Sequence, residues 1–384
     1  WLTGSALALC LLMITGLVAI ILYNGVGVFW PRDMELLRLR DGEVAMGRLL
    51  DRQAIPEGAG QFRVQLKVGN RDAYGLDFRW VDEQLITGRE RPTAAVVFER
   101  LEWGDAYAFI EAIYEGEQRL AAGGEEGWQA LQPLLVRSAE RWRDIKSLER
   151  DEIGELSNRM EDRRIELRRL ELENAPSEEK RRAEEESQVL WRQYEELSER
   201  LVSMREENER VEVVVAMAEG QQRRIKVADI VRAYRPNDLS IWGKIAVYLQ
   251  KGWEFVAGQP RESNTEGGIF PALFGTVMMV MLMSLAAVPF GILAALYLRE
   301  YARQGFLVRL VRIGVNNLAG VPSIVFGMFG LGFFVYGIGG GIDRLFYADA
   351  LPTPTYGTGG ILWASLTLAL LTVPVVIVAT EEAL

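Results

Sequence analysis

The polar residues with the clearest chemistry lie around a proline inside an apolar stretch. Asn316, Asn317 and Ser323 flank Pro322 within residues 313–342, which carry no charge. Because proline suits the first turn of a helix and breaks the helix before it, we expect a half-helix to start near Ser323. Its free N–H groups and positive dipole end would favour an anion, and the Asn and Ser side chains add donors. The alternative is a packing kink whose polar groups are satisfied between helices.

Several other kinds of chemistry are excluded by composition. The chain has no histidine, and its single cysteine, Cys10, lies in an apolar run, which excludes a zinc site, a His-based catalytic dyad and an intramolecular disulfide. No phosphate-binding GxxxxGK[ST] loop occurs, and the Gly337–Gly341 cluster lacks the Lys and Ser/Thr such a loop needs. Any ATP hydrolysis must therefore take place on another chain. The apolar runs contain no acidic or basic residue, so a proton relay through them is unsupported.

Four charge-free runs must position these residues. They are Trp1–Pro31, Gly267–Leu298, Ile313–Ile342 and Ala350–Thr380. Each exceeds the roughly 20 residues that cross a bilayer core. One Arg or Asp at the centre of a span costs ~2.5–3.5 kcal/mol, so uninterrupted runs of this length favour a polytopic membrane protein over buried core helices of a large enzyme.

The two ends of the chain lead to two further expectations. A signal peptide over Trp1–Tyr23 is the alternative to a retained first helix, but no small-residue cleavage site follows, which favours the retained helix. The chain starts at Trp and stops at Leu384 directly after an apolar run. We therefore expect it to be a fragment at both ends.

The region between the first and second runs is polar. Arg32–Glu266 carries the whole net charge of −10, because the rest of the chain is neutral overall. An acidic balance argues against nucleic acid and anionic membrane surfaces as partners of this region.

Short alternating segments predict strands in this polar region. A hairpin turn is expected at Glu219-Gly220 and a helix at Asp105–Leu120. The predicted strands are Met34–Leu39, Val44–Leu50, Phe62–Val68, Phe78–Ile86, Ala94–Phe98, Val211–Ala218 and Gln222–Val227.

A segment rich in Glu, Arg and Leu, residues 132–210, predicts two long helical arms. Apolar residues spaced by three and four give a heptad seam, and Pro176 with Ser177 marks a helix break and a new start. We expect an antiparallel coiled-coil hairpin folded at Pro176, with Asn208 at a core position fixing the register. It is either a docking arm or a solvated spacer.

A further helix is predicted at Asn237–Val256. Trp242 and Trp253, just ahead of an apolar run, suggest that it lies in the membrane interface. The alternative is a core helix of the polar region.

The distribution of arginine predicts the orientation in the membrane. Arg299–Arg312 has four Arg against one Glu, whereas Asp343, Arg344 and Asp349 precede the last run. By the positive-inside rule the first loop is cytoplasmic and the second external, so Glu381 emerges in the cytoplasm. Residues 31–266 are then external, which means periplasmic in a double-membrane bacterium.

Local motifs near the apolar runs resemble a known family. The segments are Asn264-Thr265-Glu266-Gly267-Gly268-Ile269-Phe270-Pro271, Tyr297-Leu298-Arg299-Glu300-Tyr301-Ala302, Asn316–Gly327 and Thr380-Glu381-Glu382-Ala383-Leu384. Together they resemble the A-type permease of the phosphate-specific ABC importer, a type I ABC transporter membrane subunit, and Arg232–Asn237 resembles its large-insert branch. The resemblance is close over Glu266–Leu384, and its family motif comprises Thr265, Glu266, Gly267, Gly268 and Pro271.

This resemblance implies an α-helical polytopic membrane protein with the type I ABC importer permease fold, here a fragment with four of six spans. It would carry an α+β periplasmic insert with an antiparallel coiled-coil hairpin and lie in the bacterial inner membrane. The implied regions are a first transmembrane helix (1–30), a β-rich region (31–131), the hairpin (132–210), a return to the periplasmic domain with an interfacial helix (211–266) and the permease core (267–384).

The resemblance also implies partners. These are a second permease subunit of the C type, an ATPase dimer that holds ATP and Mg²⁺, a periplasmic phosphate-binding protein and membrane lipid, with no cofactor in this chain. The chain would be a transport subunit and not an enzyme. Glu381, Glu382, Ala383 and Leu384 would open the coupling helix that docks on the ATPase.

One departure from the family and two alternatives remain. Some relatives have Arg two residues before the Thr-Glu pair, where this chain has Val378. One alternative is a permease for another oxyanion, such as phosphonate, sulfate or molybdate. The other is a signalling protein whose external region reports phosphate status to a kinase.

Overall fold

A computed structural model describes residues 2–55, 60–303, 305–318 and 320–384, apart from the side chains of Leu2 and Asn316. Among these residues, four helices are long and apolar enough to cross a membrane. The chain divides into two compact units, considered separately below. The β-rich unit comprises residues 1–155 and 195–270, and the helical unit comprises residues 156–194 and 271–384.

The β-rich unit begins with helix α1, Leu2–Val26, which has no charged residue and whose side chains from Thr3 to Val26 are exposed. Beyond it lies a five-stranded antiparallel sheet in the order β4-β3-β2-β1-β5. A four-residue helix, α2 (Arg71–Tyr74), connects β3 to β4. The strands are β1 (Met34–Leu39), β2 (Val44–Ala54), β3 (Phe62–Lys67), β4 (Phe78–Asp82) and β5 (Ile86–Glu90). Alternate residues such as Val64 and Leu66 are fully buried, since one face of the sheet packs on a core.

A second, six-stranded sheet has the order β10-β9-β7-β6-β11, with β8 also paired to β7. Its strands are β6 (Val96–Arg100), β7 (Asp105–Glu115), β8 (Gln118–Ala122), β9 (Val211–Ala216), β10 (Gln222–Lys226) and β11 (Ile230–Tyr234). Gly220, with φ of +83°, forms the turn between β9 and β10. Helix α3, Gly124–Ser147, covers this sheet with the buried Leu131.

The helix predicted over Asp105–Leu120 is wrong. These residues form the hairpin of β7 and β8, with Gly116 at φ of +60° in its turn. Strand β7 lies in the middle of the sheet and is covered on both faces, so apolar residues occur at neighbouring positions and the alternation of a strand is lost. Its alanines and glutamates are good helix formers, which led to the error.

The helical arms are α3, a π-helical stretch at Leu148–Glu152, α4 (Ile153–Leu172) and α5 (Ser177–Glu209). Within the β-rich unit, the buried Ser138 hydroxyl lies 3.1 Å from the Asn208 side-chain oxygen, and Arg205 bonds to Glu149. Within the helical unit, Arg163 pairs with Glu186 at 2.8 Å. In these contacts residues late in one arm meet residues early in the other, so the arms are antiparallel.

Helix α6, Ile241–Ala257, follows β11 in the β-rich unit and is capped by the Ser240 hydroxyl, which accepts from the Gly243 N–H. A two-stranded ribbon follows, made of β12 (Pro260–Arg261) and β13 (Glu266–Gly267). It leads into the first helix of the helical unit.

That unit contains α7 (Phe270–Leu296), α8 (Phe306–Leu318), α9 (Ser323–Gly330), α10 (Gly340–Phe346) and α11 (Ile361–Ala383). π-helical stretches at Tyr297–Tyr301 and Leu331–Gly339 extend α7 and join α9 to α10. Small residues bring the helices together: Gly330 lies against Thr367 and Gly291 against Val376, so α11 contacts both α9 and α7.

Two predicted span limits are corrected. The run Ile313–Ile342 is not one helix, because residues 313–318 belong to α8 and the span itself is Ser323–Phe346. The run Ala350–Thr380 becomes helical only at Ile361, since three Pro and Gly residues between 352 and 357 favour turns.

Candidate substrate path and coupling surface

The family motif lies in the ribbon that joins α6 to α7. The N–H of Gly268 donates to the carbonyl of Gln259 at 2.9 Å, and Gly267 has φ of +85°. A Cβ on Gly268 would lie well under 3.0 Å from the Gly258 carbonyl oxygen. Pro271, in the first turn of α7, needs no helical N–H partner there. The two glycines are therefore required by the close approach of two backbones.

The turn of this ribbon is held to the sheets. Glu262, Ser263 and Asn264 have φ of 45°, 54° and 69°, a conformation that costs about 1 kcal/mol or more for each non-Gly residue. The Glu262 carboxylate offsets this cost by accepting the N–H groups of Trp103 at 3.0 Å and Gly104 at 3.1 Å. Arg71 also pairs with it. Thr265 closes the turn by donating to the Glu262 carbonyl at 2.7 Å.

A buried ionic cluster lies beside the ribbon. Asp105 pairs with Arg48 and, at 3.0 Å, with Lys67. Burial alone would raise the pKa of Asp105, but these two cations outweigh it and hold that pKa well below its usual range. Burial and the Asp105 charge instead raise the pKa of Glu266 in the family motif. The ribbon is thus electrostatically linked to the core of the β-rich unit.

The predicted break before α9 is present. Pro322 is extended (φ −56°, ψ 137°), α9 begins at Ser323, and no described side chain caps its first turn. Asn317, near the end of α8, and Ser323 are both exposed, and the Gly320 N–H bonds to the Asn317 carbonyl at 3.0 Å. The side chain of Asn316 lies outside the described residues. Among the described residues, the Val325 N–H of this first turn bonds to the Pro322 carbonyl at 3.0 Å, and its other N–H groups point to where an acceptor could bind, the arrangement that favours an anion.

The carboxyl end of α11 is attached to two arginines. The Nε of Arg312 in α8 lies 3.3 Å from a carboxylate oxygen of Glu381, and Arg299 donates to the Glu381 carbonyl. The contact with Arg312 is an ion pair without hydrogen-bond alignment. Glu382, Ala383 and Leu384 follow at the end of the helix and are exposed. Glu381 therefore connects three helices at one end of the unit.

Sequence reasoning missed a second polar contact at the other end of the spans. Asp343 in α10 is 1% exposed and accepts the N–H groups of Tyr356 at 2.8 Å and Gly357 at 2.7 Å. A charged residue at the edge of an apolar run was the available indication, but the sequence alone cannot place the loop amides that it meets. Arg164 of α4 also donates to the Ala350 carbonyl at 3.2 Å, which places α4 against the loop before α11.

Comparison with known proteins relates this chain to permeases. It is 36% identical over 118 residues to the phosphate transport system permease protein PstA of Mycobacterium leprae, covering 31% of this chain and 33% of the relative. It is 32% identical over 130 residues to PstA of Yersinia pestis, covering 34% and 38%. It is 29% identical over 140 residues to a probable PstA of Methanocaldococcus jannaschii, covering 36% and 42%.

The resemblance predicted from the motifs is therefore confirmed as sequence similarity to permeases named for phosphate transport. The chain spans between about a third and two fifths of the length of these relatives. No family model matches the chain, and no solved structure does. Four apolar helices among the described residues agree with a polytopic membrane protein.

Proposed function

We propose that this chain is part of a transmembrane permease subunit of an ABC importer that moves inorganic phosphate across the bacterial inner membrane. The observation that carries the proposal is the similarity to relatives named phosphate transport permeases. The spans and the carboxylate-bearing end of α11 support it. In this proposal residues 31–266 lie in the periplasm and Glu381 faces the cytoplasm.

In such a subunit, the substrate path opens alternately to the two sides of the membrane. ATP hydrolysis on a partner subunit drives this change. The chain has no phosphate-binding loop for ATP, so ATP and Mg²⁺ belong to a partner ATPase dimer. Residues 381–384 would meet that ATPase, and Arg299 and Arg312 would pass its movement to α7 and α8. A second permease subunit and a periplasmic phosphate-binding protein complete the proposed assembly.

The proposed anion path runs past the break before α9. The amino end of this helix, which begins at Ser323 directly after the extended Pro322, would supply donors to phosphate. Asn316 and Asn317 are proposed as further donors from their position in the sequence, just before this break. The spans themselves supply no cation between residues 323 and 339. Within this stretch the donors to phosphate would be backbone N–H groups and side-chain dipoles, and positive charge for the anion would come from elsewhere in the assembly.

Uptake of radiolabelled phosphate tests the proposal. The full-length protein is expressed with its partner subunits in cells that lack their own phosphate importers, and uptake is competed with unlabelled phosphate, arsenate, phosphonate, sulfate and molybdate. We expect ATP-dependent uptake that only phosphate and its close analogue arsenate suppress. Suppression by sulfate or molybdate at equal concentration would favour another oxyanion, and no uptake above the empty strain would reject the proposal.

The hairpin of α4 and α5 is proposed to contact the binding protein or the partner permease. The contact between Arg164 and Ala350 brings α4 to a loop next to the spans, where such partners would meet. Photocrosslinkers placed at exposed positions near the turn at residues 173–176 should capture one of these proteins. Deleting residues 132–210 should then impair uptake itself; normal uptake with lost regulation would favour the signalling alternative.

A further inference from the structure

Helix α6 exposes apolar side chains and turns its charges inward. One continuous stripe of the helix is exposed, with Trp242 at 76%, Leu249 at 63%, Trp253 at 73% and Val256 at 52%. The spacing of seven, four and three residues places these side chains on one face. This face contains no charged residue, and Gln250 at its edge is the polar neighbour. In a helix that faces water, the exposed side normally carries the polar and charged residues and the apolar side faces the core.

Every charged residue of α6 lies on the face that packs against the β-rich unit. Lys244 pairs with Asp33, Lys251 pairs with Glu99 and hydrogen-bonds the Tyr234 hydroxyl at 3.0 Å, and Val247 packs against a buried core. Glu254 pairs with Arg232 and Arg261, both at 2.9 Å. The helix is therefore held firmly in the β-rich unit by ion pairs, and the exposed stripe is not the result of a loose helix.

Residues next to two candidate membrane spans contact α6 at its middle and its carboxyl end. Phe29, three residues after α1 ends, contacts Phe255 with tilted rings whose centroids are 5.2 Å apart, and the rings of Trp30 and Tyr248 have centroids 6.0 Å apart. The Ile269 N–H bonds to the Phe255 carbonyl at 2.8 Å, directly before α7 begins. The residues just after α1 and just before α7 are thus both next to Phe255. With α1 and α7 crossing a bilayer, this end of α6 would lie at the membrane surface.

We propose that α6 lies flat on the bilayer surface, with its apolar stripe in the boundary between headgroups and acyl chains. Tryptophan is enriched at this depth because its ring is apolar and its N–H is polar. The occupant is neutral lipid and not an anionic surface, since the exposed face offers no Lys or Arg to anionic headgroups. The ion pairs of α6 would then hold the whole β-rich unit at a fixed height above the membrane.

This inference depends on α1 and α7 crossing a bilayer and not on the identity of the transported solute. A failure to observe phosphate uptake would therefore neither support nor contradict the proposed position of α6.

Spin labels on single cysteines test the placement. In the full-length protein carrying Cys10→Ser, labels are attached at Trp242→Cys, Leu249→Cys and Val256→Cys in phosphatidylcholine nanodiscs. Leu12→Cys in α1 is the lipid-exposed control, and the exposed Glu196→Cys in α5 is the aqueous control. Collision with oxygen is compared with collision with a water-soluble nickel complex. We expect the oxygen-to-nickel ratio at all three α6 positions to exceed that at 196 several-fold and to be similar among them.

Three results would overturn the proposal. Nickel accessibility at all three positions equal to that at 196 would place the stripe in water. A high ratio at 256 that falls to the aqueous value at 242 would mean that α6 stands upright and only its carboxyl end meets lipid. Protection from both reagents that appears only when partner subunits are added would assign the stripe to a protein partner. Each variant is accepted only if its thermal unfolding midpoint matches that of the Cys10→Ser protein.

Discussion

Glu381 at the end of α11 lies 3.3 Å from the Arg312 guanidinium of α8, and this pair joins the last helix to the segment between the first two spans of the helical unit. The pair is partly exposed, with 40% of the arginine side chain and 22% of the glutamate side chain accessible. Partly exposed ion pairs contribute about 1 kcal/mol or less. Its role in the proposed mechanism is therefore to transmit movement, with a small contribution to stability.

Replacing Arg312 by alanine should lower phosphate uptake up to about fivefold, the change that corresponds to roughly 1 kcal/mol. The affinity for phosphate should not change, because neither side chain of the pair is among the proposed donors at the break before α9. The measurement is initial uptake rate against phosphate concentration in the assembled transporter. Arg309→Ala, an exposed arginine of the same helix, is the matched control and should retain the wild-type rate. Equal rates for the two variants would remove Arg312 from the coupling surface.

Adding one methyl group at Gly268 should destabilise the protein. Its Cβ would overlap the Gly258 carbonyl oxygen, and overpacking of this kind costs about 1–3 kcal/mol. Gly275→Ala in α7 is the control, because its Cβ would meet nothing within 4 Å. Thermal unfolding in detergent should show a lower midpoint for Gly268→Ala alone. An unchanged midpoint would mean that the ribbon before α7 is not packed as described.

Asp105→Asn should destabilise the β-rich unit by about 3–5 kcal/mol, since it leaves the charge of the buried Arg48 without its carboxylate partner. Glu173→Gln is the matched control: it removes an exposed pair with Arg169 and should cost about 0–1 kcal/mol. Denaturant unfolding of both variants measures the difference. A cost for Asp105→Asn no larger than that of the control would show that the cluster is not buried.

The Asp105 carboxylate also makes the free energy of unfolding depend on pH in the acid range. Its folded pKa is lowered, so its stabilising contribution is fully present above the unfolded value of about 3.9 and is lost as the pH falls further toward the folded pKa. The free energy of unfolding of the wild-type protein should therefore fall below about pH 4, and Asp105→Asn should show less of this fall. Parallel pH curves for the two proteins would contradict the assignment.

Ser323→Ala should raise the KM for phosphate uptake about fivefold, the loss expected for one hydrogen bond of about 1 kcal/mol. Asn317→Ala should act in the same direction. Thr276→Ala is the control, because this hydroxyl bonds to the Ala272 carbonyl of its own helix. The assay is uptake against phosphate concentration in the full-length complex. An unchanged KM and rate in both variants would remove the break before α9 from the anion path.

The half-buried elements could be predicted from the sequence. The strand predicted at Phe62–Val68 is present at Phe62–Lys67, because one face is buried and the other is not, which produces alternation. The strand predicted at Met34–Leu39 is present with the same bounds. The break at Pro322 and the helix start at Ser177 follow from local backbone chemistry, and the structure has helices beginning at Ser323 and Ser177. In each case the deciding information lies within a few residues.

Features that depend on distant neighbours could not be predicted. Strand β7 is covered on both faces and therefore lost its alternation. The pairs between Arg312 and Glu381, and between Asp343 and the loop at Tyr356, join residues that no local pattern connects. For α6, the apolar stripe left an interfacial helix and a core helix as alternatives. The structure places its charges inward and its tryptophans outward, so it has a core face and an exposed face.

The orientation of the chain in the membrane tests the central claim most directly. In the Cys10→Ser background of the full-length protein, single cysteines at Glu161 and Arg303 are treated in whole cells with a membrane-impermeant thiol reagent, with the outer membrane made permeable. An importer subunit with residues 31–266 in the periplasm predicts labelling at 161 and labelling at 303 only after the inner membrane is opened. Labelling of 303 in intact cells together with protection of 161 would contradict the account.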